Sequence, residues 1–286
     1  MNRAMTTGFM GHDRTYVIAE GGSNHGGSLD VALALIDAAA EAGADAFKTQ
    51  AGHADHVYDP AQFPEEHAAI RKYLEPVLHW LPVLHKRCEE RGIDFGCSAF
   101  CFDALDAVDP FVKWHKVASI EHGWTPFLMC VAEKMKPMIV SHGMREGQRE
   151  YGLFPQEIVA MGCTVSYPCD LADAHIRSMP IAGPWGLSDH TTHPTIAPCA
   201  AVALGACVIE KHMRVDVTNH NDPAGLLVVP FWTPDTEHSI NQYQFCEMVS
   251  AIRLTEKALG SSEKRIRESE RPFLKYRRGP RGLRGA

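Results

Sequence analysis

Two short apolar runs of this chain end in histidine. Gly186-Leu187-Ser188-Asp189-His190 and Cys207-Val208-Ile209-Glu210-Lys211-His212 each read as a strand finishing in polar and ionisable residues. Between them, residues 195–205 are Ala-rich, have helical length and close on a glycine suited to a C-cap. The pattern predicts a strand–helix–strand unit whose strands are parallel and adjacent. His190 and His212 then stand at neighbouring carboxyl ends, the edge on which parallel α/β proteins build sites. Two imidazoles there can share one divalent metal and leave coordination positions for water and substrate. Taken singly, either can equally be a hydrogen-bonded structural histidine.

Such a site needs a scaffold that repeats strand ends along one edge. Strand-like runs occur at 15–20, 46–50, 93–98, 111–119, 138–141, 163–166, 184–187 and in the Glu210-Lys211-His212 segment. Helical patterns fall at 29–42 (capped by Ser28, closed by Gly43), 65–73, 79–91, 103–108, 126–135, 171–179 and 234–259. Residues 51–64 read as a long loop. The connection at 145–161 is broken by Gly147, Gly152 and Pro155, which predicts a short or irregular helix. Eight strands alternate with helices and no linker divides them. The expected fold class is therefore α/β, a single (β/α)8 TIM barrel over 15–262, preceded by a flexible leader at 1–14.

Composition narrows the function. At 286 residues and 45% hydrophobic, the chain can bury one large core. A net charge of −7 argues against nucleic-acid binding by the body of the protein. Nine Lys/Arg residues between 264 and 284 form a basic C-terminal tail, read as solvated. No segment has the length and apolarity of a signal peptide or membrane span, so no membrane contact and a cytoplasmic location are expected. Nine cysteines, without zinc-framework spacing, fit reduced thiols; Cys97 and Cys101 are read as packing residues.

The test of a barrel enzyme is whether ionisable residues gather at successive strand ends. Here the ends carry Glu20, Lys48 with Gln50, Ser98, Lys116 with Ser119 and Glu121, Ser141, Tyr167, Ser188 with His190, and Glu210 with His212. Lysine is rarely buried unless paired, so two lysines ending apolar strands invite an anionic ligand. The serines add hydroxyl donors suited to phosphate and carboxylate. Glu20, Glu121 and Glu210 are candidates for acid/base or hydroxyl-binding work, and Asp222 in the following loop could join them.

These blocks together resemble the sialic acid synthase family. The resemblance rests on Ile18-Ala19-Glu20 with Ser23-Asn24-His25-Gly26, Lys48-Thr49-Gln50, Lys116-Val117-Ala118-Ser119, Ser141-His142-Gly143-Met144, Ser166-Tyr167-Pro168, Gly186 to Thr191 and Glu210-Lys211-His212, in order from Tyr16 to Arg278. It implies a transferase that condenses phosphoenolpyruvate with an aldose-type aldehyde to give a 2-keto-3-deoxy sugar acid. It implies a divalent metal on His190 and His212, usually Mn2+, with Mg2+ or Co2+ as substitutes. Lys48, Lys116, Ser119, Ser141 and Ser188 match phosphoenolpyruvate-binding positions, with Ser98 where the family usually has threonine. Glu20, Gln50, Tyr167 and Asp222 match acceptor-binding positions. Glu121 and Glu210 match carboxylates near the reacting centre, so the expected catalytic set is Glu20, Lys116, Glu121 and Glu210. A homodimer is the family expectation.

The sequence departs from that pattern in three places. The small antifreeze-like domain expected after the barrel does not follow Arg277-Arg278-Gly279-Pro280. Val165 stands where an asparagine is usual. Residues 228–232 add apolar and aromatic bulk after Asp222. These differences predict a changed acceptor, a sugar or sugar-nucleoside other than N-acetylmannosamine. Two competing readings remain at this level: a metal-dependent 2-keto acid aldolase or lyase, and a non-catalytic binding relative.

Overall fold

A computed structural model describes residues 9–144, 146, 155–179, 183–216 and 232–278. Eight parallel strands follow the sequence order: β1 (Tyr16–Gly22), β2 (Ala46–Ala51), β3 (Asp94–Ala99), β4 (His115–Val117), β5 (Met138–His142), β6 (Ile158–Gly162), β7 (Trp185–Asp189) and β8 (Val208–Arg214). Pairing of β1 with β8 closes the barrel. A two-residue strand, β9 (Ile240–Asn241), adds to the far end of β8. Helices α1 (Leu29–Glu41), α2 (Ala54–Val57), α3 (Pro64–Tyr73), α4 (Glu75–Arg91), α5 (Phe102–Val108), α6 (Thr125–Glu133), α7 (Ile196–Ala203) and α8 (Gln242–Leu259) occupy the connections.

The two-residue period of a strand sorts these side chains into two cores. Val17, Ala19, Phe47, Leu187 and Ile209 face outward and pack under helices, with Leu35, Leu81 and Phe245 among their neighbours. Tyr16, Ile18, Ala46, Trp114, Ile139, Val159, Met161 and Val208 fill the interior. Gly96 is part of that fit, because a Cβ there would strike the Trp114 indole. Phe9 belongs to the same layer and is fully buried, edge-on to Tyr16 and Trp114, so the segment expected to be a leader contributes to the barrel floor. Continuing the inward parity towards the carboxyl ends replaces these apolar residues with Glu20, Lys48, Ser98, Lys116, Ser141, Ser188, Glu210 and His212. The chain therefore builds an apolar floor and an ionisable mouth from the same strands.

The strand expected at 111–119 is shortened to His115–Val117, the loop expected at 51–64 contains α2, and three further elements differ. The sixth strand is 158–162, not 163–166; Ile158-Val159-Ala160-Met161 pairs with β5, and residues 163–166 follow as loop. A short apolar run cannot by its periodicity be told from the end of a buried helix. The helix expected at 171–179 is two 3-10 turns, Leu171–Asp173 and Ile176–Ser178, separated by His175 in a left-handed conformation. The helix expected at 234–259 begins at Gln242. Asn241 caps it by accepting from the Tyr243 and Gln244 amides while Gln244 caps back onto Asn241, and that box fixes the start. Residues 232–239 thereby become a loop that folds over the barrel mouth.

Candidate active site

The strand registers set the site. Glu20 on β1 lies beside Lys48 on β2, Gln50 on β2 beside Ser98 on β3, Ser98 beside Lys116 on β4, and Ser188 on β7 beside Glu210 on β8. All except the half-buried Gln50 are buried. Lys48 Nζ is 2.5 Å from Glu20 Oε2, donates to Ser98 Oγ at 2.9 Å and lies 3.7 Å from Glu210 Oε2. Lys116 Nζ donates to Ser141 Oγ at 2.8 Å and lies 3.6 Å from Glu210 Oε1. Ser188 Oγ donates to Glu210 Oε1 at 3.0 Å, and Gln50 Nε2 to Glu20 Oε1 at 2.8 Å. Seven of the eight barrel strands, all but β6, thus supply one continuous polar chain.

Its electrostatics divide the carboxylates. Burial opposes the charge of Glu210, but Lys116 and Lys48 outweigh it and hold the carboxyl near 2. Burial dominates at Glu20 and pushes it up to about 7, with Lys48 pulling the other way. Burial also pushes Glu121 up to about 7, and its Oε2 has no hydrogen-bond partner among the described residues. The two lysines diverge as well: burial lowers Lys116, whereas Glu20 and Glu210 overcome burial and raise Lys48.

Opposite this chain stands an imidazole cluster. The His190 and His212 rings are 5.8 Å apart between centroids, as the paired strand ends predict. Burial pushes both below the usual histidine range, His190 to about 4, so they are neutral and their nitrogens can act as ligands. His190 Nδ1 lies 2.8 Å from the Thr164 carbonyl; as an N–H donor it leaves Nε2 facing the mouth. The loop at 232–239 contributes what the sequence reading missed. His212, Asp235 and His238 offer ligand atoms within 4.8 Å of one another. His212 Nδ1 and both His238 nitrogens lack hydrogen-bond partners among the described residues, so the donor set fits a divalent ion. Burial opposes the charge of Asp235, but the neighbouring imidazoles and the Ser23 amide hold it well below the usual carboxylate range.

The remaining expected residues lie around this centre. Tyr167 sits on the loop after β6, half exposed, with its ring 4.4 Å from His190 and 4.9 Å from His238. Ser119 and Glu121 are buried in the turn after β4. Asp222 lies outside the described residues, as do residues 228–231; Trp232 is exposed. The signal for Asp235 and His238 was present in sequence as Asp235-x-x-His238 just before the Asn241 cap, but the expected helix hid it.

Motif and topology together define an α/β barrel whose mouth sets a buried lysine pair beside a candidate metal site. Residues 35–264 match the NeuB family, and this chain belongs to that family. It is 34% identical to the spore coat polysaccharide biosynthesis protein SpsE of Bacillus subtilis, over 85% of this chain and 68% of that one. It is 30% identical to the N,N'-diacetyllegionaminic acid synthase of Legionella pneumophila, over 90% and 77%. The crystal structure of N-acetylneuraminic acid synthetase from Leptospira borgpetersenii, in complex with citrate, superposes with a TM-score of 0.80 at 26% identity, covering 94% of this chain and 93% of that one. The protein is a sugar-acid synthase of the transferase type that condenses phosphoenolpyruvate with a sugar. No helix among the described residues is long and apolar enough to cross a membrane.

Proposed function

We propose that Lys48 and Lys116 hold the phosphate and carboxylate of phosphoenolpyruvate, with Ser98, Ser119, Ser141 and Ser188 as hydroxyl donors. The observation that carries this reading is the lysine pair itself. Two buried ammonium groups share one carboxylate held ionised, Glu210, while burial pushes the second, Glu20 beside Lys48, up to about 7, so positive charge is left for an anion entering the mouth. Glu210, held ionised between them, orients both lysines and does not donate a proton. Glu20, Gln50 and Tyr167 line the acceptor side, and Asp222 remains a candidate for the same pocket.

C3 of phosphoenolpyruvate forms the new bond to the acceptor's aldehyde carbon, and the carbonyl oxygen becomes a hydroxyl. Water then adds to C2, and the resulting tetrahedral carbon releases inorganic phosphate to give the 2-keto acid. Glu121, buried and titrating near 7, takes the proton from that water. His190 and His212 would hold a divalent ion, manganese by family resemblance, and that ion would supply Lewis-acid polarisation of the aldehyde. Tyr167 covers the imidazoles on the solvent side and limits water there.

The acceptor is an aldose-type sugar other than N-acetylmannosamine, consistent with the differently named products of the relatives. The catalytic unit is the barrel together with the preceding segment that lends Phe9 to its floor, acting in the cytoplasm, with the homodimer of the family as its expected assembly. A panel of aldehyde-bearing sugars incubated with phosphoenolpyruvate and Mn2+, read by phosphate release and mass spectrometry of the product, tests the reading. One sugar should release phosphate in proportion to a new 2-keto acid; hydrolysis without any condensed product would overturn it.

A further inference from the structure

We infer that the metal centre of this chain is a three-histidine, one-carboxylate site in which His238 is a direct ligand beside His190, His212 and Asp235. The inference rests on the reading that a divalent ion works at this mouth, and it assigns ligands that the paired strand ends do not supply. His238 ends the 3-10 turn Thr236–His238, on a different segment from either strand-end histidine.

Three observations converge on it. His238 is only 2% exposed, yet neither ring nitrogen has a hydrogen-bond partner among the described residues. Its Nε2 lies 3.3 Å from Asp235 Oδ1, close enough for charge attraction but not aligned as a hydrogen bond. An imidazole buried in this way without a hydrogen-bond partner costs free energy unless something binds it. The ring also stands 4.4 Å from His212, nearly perpendicular to it, and 6.2 Å from His190. Ligands around one ion at about 2.1 Å are separated by roughly 3–4 Å, so the 4.8 Å envelope of His212, Asp235 and His238 closes on an ion with side-chain adjustments of under about 1 Å.

The surrounding structure holds this turn in place. Ser23 donates to Asp235 Oδ2 from its amide at 2.6 Å and from its hydroxyl at 2.8 Å, leaving Oδ1 directed at the imidazoles. Asn24 Nδ2 donates to Ser239 Oγ and to the Met213 carbonyl, while the Thr233 hydroxyl donates to Asn24 Oδ1. The loop at 232–239 is thereby tied to the β1–α1 connection at both ends of the candidate ligand pair. Supporting hydrogen bonds of this kind are what orient metal ligands.

A donor set of three imidazoles and one carboxylate favours a borderline first-row ion such as Co2+ over the harder Mg2+. The test is Co2+ titration of the purified full chain, followed by its visible absorption and by competition with a chromophoric chelator. One Co2+ should bind per chain, and His238→Ala should weaken it at least tenfold and shift the d–d band. Mg2+ affinity should change much less. His238→Gln should restore folding, but not the native spectrum, if the alanine variant proves unstable. X-ray absorption of Co2+ in the unaltered protein counts the imidazoles directly and needs no variant. Three imidazoles support the inference. Two imidazoles, or an unchanged spectrum and affinity in His238→Ala, overturn it while leaving the condensation reaction intact. Absence of any Co2+ or Mn2+ binding overturns it together with the metal assignment, and phosphate release measured in parallel separates that outcome from loss of the reaction itself.

Discussion

Glu20 and His212 face one another as direct partners across the seam where β1 closes on β8. Neighbouring strands lie about 4.8 Å apart. The first residue of the buried lysine–glutamate chain and the centre of the imidazole cluster are therefore one strand apart. Closing the barrel is what places the buried lysine pair against the imidazole cluster. An open sheet with the same strand sequences would leave its two edge strands, and hence Glu20 and His212, at opposite ends.

That arrangement makes Lys48 the most exacting position in the cradle. Lys48→Met removes the ammonium shared by Glu20, Glu210 and the incoming anion. Steady-state kinetics should show kcat/KM for phosphoenolpyruvate falling at least about 100-fold, equivalent to about 3 kcal/mol. Glu20, left buried without its cation, should take up a proton more readily. Wild-type kinetics in the variant would remove Lys48 from the substrate site.

Glu121 gives a pH signature. Its folded-state carboxyl titrates near 7, above its unfolded value near 4.5. Between those values the folded state holds a proton that the unfolded state has lost, so this group's contribution to stability declines as pH rises from about 4.5 to 7. The amount is at most about 3 kcal/mol. Glu121→Gln should flatten that part of the curve of melting temperature against pH. It should also abolish the rise of kcat with pH through about 7, since the ionised carboxylate is the proposed base. A glutamine variant with an unaltered pH–rate profile excludes Glu121 as that base.

Much of this site was readable because strand periodicity and the closing topology are simple rules. The pairing of His190 with His212, and the inward parity of Lys48, Lys116 and Glu210, follow from short apolar runs that end in ionisable residues. What escaped was set by tertiary context. Ile158-Val159-Ala160-Met161 reads as the tail of a helix until β5 supplies hydrogen-bond partners. Asp235 and His238 were lost inside a helix drawn eight residues too early, although Asn241 and Gln244 spell a capping box that marks the true start. The Asp189–Lys211 pair also went unread, because both residues sit in motifs dominated by their histidine neighbours.

Gly22 ties the missed loop to the first strand. Its φ is +48°, and a Cβ there would collide with Asp235 Oδ2 and crowd His212 Nδ1. Gly22→Ala should therefore displace Asp235 and weaken divalent-metal binding about tenfold or more. It should cost roughly 1–3 kcal/mol of stability from backbone strain and lost hydrogen bonds. Calorimetric titration with Mn2+ beside thermal unfolding reads both effects, and a variant with native metal affinity would show that the contact carries no positional information.

The last prediction concerns the pair that braces the histidine strands from outside. Lys211 is fully buried between β8 and the helices, 2.5 Å from Asp189 Oδ2 on β7, and also donates to the Thr191 carbonyl at 2.6 Å. Each of these residues precedes or follows a strand-end histidine, so the ion pair fixes the spacing of His190 and His212. Burial lowers the Lys211 pKa while Asp189 opposes the shift, so the charged form depends on its partner. Lys211→Met leaves Asp189 buried and unpaired, which should cost about 3–5 kcal/mol in urea-induced unfolding. The double variant Lys211→Met/Asp189→Leu removes both charges and should recover much of that loss. Its metal affinity should nevertheless remain below wild type, because apolar packing restores burial without restoring the directional bond between the strand ends. Equal stability of the single and double variants would mean that the pair is not coupled.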